Sequence, residues 1–425
     1  MKLRSDLLVV QNPVVWPYMN GATGKNTVVT DPNFGMSIVR ATDRTTATAK
    51  KSCQTADAAQ AVIWNRNDTL LGVRDTDAKT YLLQFIQKSM SVEQLSYTYM
   101  GSIAFSKASP AILYVLNGTV VSKVTFSQPA SGYWSYVTED VLCDFADILP
   151  KGFVPKSNSA FVQSQGDQVF SVGFSEGDQN TGTLVCLWKR GNGKNGFRML
   201  NTETGEVTGG WGELGIAKLT STKNVIPFPW HEVYGTENPA YTMITPATGT
   251  DSQIVWDNAT LNLIDNEMTG HEAHGYTNFY AGGPGGGQLA YAPYTAPLSK
   301  SMLLPSSALP SSQGQAYIGD RHWQFGKVVD NDESVIWSSG SGIIPPAPFV
   351  SAWQNEVTGY DTVAKVVYRA CHTMSSGLSK EFIVANCIAV PGQTGRYVAF
   401  TSDWFQTLGG NNNGQPAGDV FIVAV

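Results

Sequence analysis

The chain has 425 residues, of which 42% are hydrophobic, 15% charged and 11% aromatic, with 42 glycines and a net charge of −6. No basic stripe is present to track a nucleic-acid backbone, and no apolar run approaches the roughly 20 residues that a membrane-spanning helix needs. Low charge with abundant Gly, Thr, Ser and aromatic residues points to an all-β protein, because β-branched and aromatic side chains suit a pleated, half-buried surface.

The opening residues Met1–Val10 hold too short an apolar run for a signal peptide. The expected address is secreted or periplasmic with a leader already removed, or else the cytosol. Leu7–Val10 reads as a short strand, and Ile38-Val39-Arg40 as another after a turn-rich stretch ending at Gly35. From about residue 60 a rhythm sets in, with strands at Ala61–Trp64, Thr69–Arg74 and Thr80–Ile86. The next unit is clearer: Ser102–Ser106, Ala111–Leu116, Thr119–Phe126 and Tyr133–Thr138. Its Asn117-Gly118 step between apolar runs is a strong hairpin signal. A third unit follows at Ala160–Ser164, Gln168–Ser175, Thr183–Arg190 and Phe197–Asn201. The fourth opens at Trp230-His231, the fifth at His271, the sixth at His322 and the seventh around His372. That seventh unit runs on through Phe382–Val390, Arg396–Thr401 and Asp419–Val425.

Four short strands per unit, with openings near 61, 102, 160, 230, 271, 322 and 372, predict one seven-bladed β-propeller domain over residues 1–425. A strand near each end of the chain predicts closure of the ring by both termini, which removes exposed edges. A tandem of β-sandwiches is the competing architecture. The Gly/Pro/Ser-rich stretch 282–314 is expected to be a long insertion in the fifth blade, low in regular structure and placed as a lid.

The five cysteines form no CxxC pair. Cys186 and Cys387 lie in apolar runs and are expected as buried thiols, and a Cys371–Cys387 pairing is left open. Triplets at Asn67, Asn117 and Asn258 match the glycosylation pattern. Asp330–Glu333 resembles a fragment of a calcium loop but lacks its spacing and its glycine, so a solvated turn is expected. No Walker loop, nucleophile elbow or HExxH motif occurs.

The blade-opening histidines, above all Gly270-His271-Glu272-Ala273-His274-Gly275, and the closing segment Tyr397–Trp404 resemble the seven-bladed propellers of polysaccharide lyase families such as the oligogalacturonate and ulvan lyases. The resemblance covers most of the chain as a fold and a handful of histidines as a function. It implies a central cleft in which His, Tyr and Arg, in some members with a metal, cleave an acidic carbohydrate by β-elimination.

All five histidines fall in the C-terminal half. Those at the four unit openings are spaced 40, 48 and 50 residues apart, counting from His231 to His271, from His274 to His322 and from His322 to His372. In a propeller the first strand of each blade lines the channel, so residues in one phase of the repeat meet at one mouth. The earlier openings offer Trp64-Asn65, Phe105-Ser106 and Gln163-Ser164, an amide- and hydroxyl-lined half of the ring. His271, His322 and His372 are the expected ligands of a divalent metal such as Zn, Mn or Ca, with no organic cofactor. His231, His274, Tyr276 and Arg321 are the expected acid–base and charge-stabilising groups. Trp230, Tyr280, Trp323 and Arg369 are the expected contacts to the sugar. Against this stands the plainer reading of packed histidines, core aromatics and solvated arginines. The function expected is therefore a polysaccharide lyase. The alternatives are a non-catalytic extracellular propeller that binds glycan or protein with a His-bound structural metal, and a propeller enzyme acting on a small cyclic molecule.

Overall fold

The computed structural model describes residues 19–425 apart from 57–59, 129–131, 157–160, 178–180, 212–217, 221–225, 227–228, 248–252, 266–270, 283–288, 305–321, 328–330, 341–352 and 377–386. Seven antiparallel sheets form the blades of a propeller ring, and the helical content of the described residues is four short 3-10 turns. Blade 2 shows the plan: Ser102–Phe105 innermost, then Ile112–Asn117, Val120–Ser127 and, outermost, Ser135–Asp144. Its central hairpin closes at Gly118-Thr119, with Asn117 paired to Val120 and Gly118 at a φ of 56°. That left-handed conformation carries no steric cost for glycine.

Middle strands are buried on both faces by the neighbouring blades, so they read as continuous apolar runs rather than as alternation. Val169–Glu176 of blade 3 is buried at every residue but its last. The apolar clusters accordingly lie between blades. One joins blades 1, 2 and 3 around Phe105, Phe145, Phe170 and Trp188, and another joins blades 6 and 7 around Trp337, Phe400 and Phe421. The cluster between blades 4 and 5 is much smaller, centred on Met243, Phe279 and Tyr294.

The ring is closed as expected by strands from both ends of the chain. Asp419–Ala424 pairs on one side with Tyr397–Ser402 and on the other with Ser37–Arg40, which in turn pairs with Val28–Thr30. Leu7–Val10, the strand expected to close it, lies outside the described residues. The seam is locked by a buried ion pair. Arg40 donates to Asp419 Oδ2 from Nε at 3.0 Å and from Nη2 at 2.5 Å, and Thr42 Oγ1 donates to Oδ1 at 2.9 Å.

Three expectations need correcting. The seventh blade opens at Ala389–Pro391, not at residue 372. His372 instead ends Val366–His372, the outermost strand of blade 6, because that blade draws its third and fourth strands from Glu356–Asp361 and Val366–His372. The stretch 282–314 is not simply an insertion. It supplies Leu289–Pro293 and Ser301–Leu304, the third and fourth strands of blade 5, and the glycines around them disguise two short strands whose Leu289, Ala292 and Leu303 are buried. Glu333 is not a solvated turn residue. It reaches from blade 6 to the blade 5 hairpin, where Oε1 accepts from the Thr277 amide at 2.5 Å and Oε2 from Asn278 Nδ2 at 2.8 Å. Gly275 makes room for it, since a Cβ there would sit 2.5 Å from Glu333 Oε1. All five cysteines are buried free thiols, so Cys371 and Cys387 are not joined.

Candidate functional site at the propeller axis

Four inner strands bring residues at or just past their ends together: Ser106 and Lys107 in blade 2, Gln163 in blade 3, Glu237 in blade 4 and Gln393 in blade 7. Lys107 is almost fully buried, and its ammonium donates to Glu237 Oε1 at 2.7 Å and to the Gln163 carbonyl at 2.6 Å. Its backbone amide donates to Asp167 Oδ1 at 2.9 Å. Gln163 Nε2 returns to the Phe105 carbonyl at 2.5 Å, and Gln393 Nε2 reaches the Trp64 carbonyl at 2.6 Å. Gln60, just before the inner segment of blade 1, donates across the ring to the Glu272 carbonyl of blade 5 at 2.5 Å. Blades that are not neighbours are thus tied through the centre.

Among the described residues these bonds leave little space between the side chains they join. The cavity left among Ile63, Trp64, Lys107, Glu237, Phe325 and Gln393 is about 10 Å³, room for roughly one water. A roomier hollow of about 420 Å³ lies off the axis on blade 3, lined in part by Phe153, Glu176, Thr183, Asn201 and Glu203. Burial pushes the Glu237 carboxyl above its ordinary range, and Lys107 offsets that only in part. Glu237 Oε2 makes no hydrogen bond to another residue.

The three histidines whose side chains are described, His231, His274 and His372, lie in three different settings. His231, second in the inner strand Trp230–Gly235, is 48% exposed, with Nδ1 3.8 Å from Glu232 Oε1. His274 is buried between blades 4 and 5, beside the Tyr234 ring at 5.5 Å between centroids. Its Nε2 lies 3.6 Å from Glu272 Oε1, just beyond hydrogen-bond reach, and neither ring nitrogen has a partner. His372 is buried at the outer end of blade 6. Its amide and Nδ1 both meet Asp31 Oδ2, at 2.7 and 2.9 Å. Burial alone would raise the Asp31 carboxyl, but the His372 ring and amide and the Phe34 amide together hold it below its ordinary value. His271 and His322 begin inner strands, paired with Gly282 and Ser339. Their side chains, the Trp323 side chain and all of Arg321 lie outside the described residues. Among the described residues no three His, Cys, Asp or Glu side chains are grouped to hold a metal ion.

The expected sugar contacts that can be placed are structural. Trp230 is fully buried against Gly173 and Gly182, whose missing Cβ atoms leave space for its ring. Its amide and carbonyl both bond Gly182, stitching blade 4 to blade 3. Tyr280 packs between blades 5 and 6, stacked on Tyr291 at 5.5 Å and edge-on to Phe325 at 5.1 Å. Arg369 forms a buried two-point bond to Glu356, at 2.7 and 2.5 Å, with its guanidinium 5.2 Å from the Phe34 ring centre. Tyr276 does not continue the His274 face, because the strand ends at His274 and the chain turns. Its carbonyl accepts from Asn238 Nδ2 at 2.9 Å.

Sequence reasoning placed Ser106 and Gln163 at the channel but missed Lys107, Glu237, Glu272 and Gln393. The available signal was position: Lys107, Glu237 and Gln393 each lie two residues past the end of an inner strand.

No family model and no curated protein sequence matches the chain. Solved structures do. An oligogalacturonate lyase from Vibrio parahaemolyticus is similar over 96% of this chain and 99% of its own, at 12% identity and a TM-score of 0.56. The WD40 domain of Neurospora crassa Pan2 covers 86% and 88%, at 7% identity and a TM-score of 0.43. The RRP9 WD40 repeats cover 94% and 99%, at 8% identity and a TM-score of 0.45. At such identities the likeness is one of fold: an all-β propeller ring of seven blades.

Proposed function

We propose that this protein is a binding propeller that holds a protein or glycan partner on its outer surfaces without turning it over. The observation that supports the reading is the axis. Among the described residues at the axis, Lys107, Glu237, Gln163 and Gln393 interlock around a cavity of about 10 Å³. A uronate unit cannot enter there without breaking the buried Lys107–Glu237 pair, and exposing one partner of such a pair is costly. Arg369, a natural candidate to hold a carboxylate, is already engaged by Glu356.

One observation favours the lyase reading, in which an acidic carbohydrate is cleaved by β-elimination. His274 keeps both ring nitrogens without a hydrogen-bond partner beside Glu272 and Tyr234, and imidazole is the commonest side chain in general acid–base catalysis. The test is to incubate the protein with a panel of polyuronates, with and without Zn, Mn or Ca, and to follow the ultraviolet absorbance of unsaturated products. No rise is expected. A rise that disappears in His274→Ala would overturn the binding reading in favour of the lyase.

A further inference from the structure

Blades 1 and 2 end in the two longest strands of the described structure, Ser91–Met100 and Ser135–Asp144, which meet across the blade boundary where Tyr97 stacks on Tyr136. The second is unusual in its burial: its first seven residues are all exposed. Of the nine large apolar side chains most exposed among the described residues, five lie here, Met100, Tyr133, Tyr136, Val137 and Val141. Such concentration marks a contact surface, whereas apolar residues scattered singly would need no explanation.

The tyrosines have a definite arrangement. Tyr97 and Tyr136, one from each blade, stack with centroids 5.2 Å apart. Two carboxylates frame the group. Tyr133 Oη donates to Glu93 Oε1 at 3.4 Å, and Glu139 lies close enough to Tyr99 to act on it electrostatically. The Tyr99 hydroxyl is pushed well above its ordinary range, by burial first and then by Glu139, Tyr136 and Tyr97. Neither strand carries a lysine or arginine, while together they carry Glu93, Glu139, Asp140 and Asp144. Lys123, on the neighbouring strand, is engaged by Asp140 at 3.2 Å, and Lys79, paired in register with Met100, lies over the Tyr81 ring.

Ring faces with negative quadrupoles beside unpaired-sign carboxylates attract cations, and guanidinium best of all because it stacks as well as pairs. Two register shifts in Ser135–Asp144 break up its hydrogen-bonding edge, so recognition there runs through side chains more than through strand addition. The acidic rim also disfavours the acidic carbohydrate that a lyase would take.

We infer that the tyrosine strip between the outer strands of blades 1 and 2 docks an extended, arginine-bearing segment of a protein partner. The inference rests on the binding reading given above and names the surface and the partner chemistry. Arginines alternate along such a segment to reach Glu93 and Glu139, with the aliphatic stems lying over Tyr133, Tyr136 and Val137.

The probe is a short fluorescein-labelled peptide alternating arginine with threonine, titrated with the full chain and followed by anisotropy. Binding is expected at low salt, weaker at high salt, and absent for the same peptide with glutamate in place of arginine. Tyr136→Ala should weaken it about fivefold and Glu139→Lys about tenfold. Both positions are exposed, so melting temperatures should not move, and Val363→Ser on the far side of the ring should bind as wild type. The inference is overturned if the arginine peptide does not bind, if the glutamate peptide binds equally, or if both strip variants keep full affinity. It is also overturned if a neutral oligosaccharide displaces the peptide, or if light scattering shows a dimer that Tyr136→Ala breaks, since the strip then belongs to a glycan or to a second copy. None of these outcomes bears on the unsaturated-product assay, which alone decides between binding and lysis.

Discussion

His372 and His274 are both buried against a carboxylate, at joints built on different plans. At the seam of blades 6 and 7 the N-terminal loop brings Asp31 to His372, and the Phe34 ring lies 4.9 Å from the imidazole. A few residues on, Arg40 and Thr42 saturate Asp419. The seam sits on an extensive apolar cluster. At the joint of blades 4 and 5 the apolar cluster is small, and His274 and Glu272 face each other just out of reach with polar atoms unfilled. A buried polar group with its bonds made fixes a joint, and one left unmade costs the joint part of its stability. The same residue type in the same kind of surroundings therefore acts as a fastener in one place and a weak point in the other.

The largest test of that contrast is Arg40→Ala. It strands Asp419 without its cation at a buried site, and loss of about 3–5 kcal/mol is expected in thermal or urea unfolding. Next come paired substitutions. His372→Leu removes the partner of a buried Asp31 and should cost roughly 2–3 kcal/mol. His274→Leu removes two unfilled nitrogens at similar volume and should stay within about 1.5 kcal/mol of wild type. Equal losses in the two variants would erase the distinction. The Asp31 carboxyl is held below its ordinary 3.8, so its contribution is present above that pH and lost as pH falls through the lower folded value. That acid loss should vanish in His372→Leu.

Asp68, at the join of blades 1 and 7, supplies an effect of opposite sign. Burial first, against hydrogen bonds from Thr394 and Gln393, raises its carboxyl from 3.8 to about 6. The folded protein therefore holds the proton more tightly than the unfolded chain does. Stability from this group is full below pH 3.8 and lost as pH rises toward 6, by on the order of 2–3 kcal/mol. Asp68→Asn should flatten that decline, and the positive φ of 55° at this position suits asparagine. A decline that persists in the variant would assign it to another group. Smallest is His231→Ala. The side chain is half exposed on the weaker side of the ring, and a change within about 0.5 kcal/mol is expected.

The propeller was legible because its signal is repetition. Strands such as Ser102–Phe105 and Val169–Glu176 are apolar runs bounded by turn residues, and that pattern survives without side-chain detail. Blade 6 was misdivided because Glu356–Asp361 and Val366–His372 are both well-formed strands, and periodicity does not say which blade a strand joins. The site was read less well. Phase put the histidines on or near inner strands, but phase does not set which way a side chain leaves the strand. His274 turns into the space between blades, and Trp230 turns toward Gly173 and Gly182. Lys107 drew no notice because a lone lysine after a strand reads as solvated. Only closure of the ring delivers Glu237 to it, from 130 residues away.

Arg40 and Asp419 are separated by 379 residues, so the seam joins early chain to late chain. At about 5–20 residues per second of synthesis, the strand Ser37–Arg40 waits on the order of 20–75 s for its neighbour to be made. During that interval Ile38 and Val39, both fully buried in the finished ring, have only the short strand Val28–Thr30 to pair with. The blades between can pack in sequence against one another, yet this short hairpin waits outside the sheet until Asp419–Ala424 arrives. The seam that makes the mature ring stable is thus also a delay in its birth, and anything that shields residues 37–40 during translation should raise the yield of closed rings.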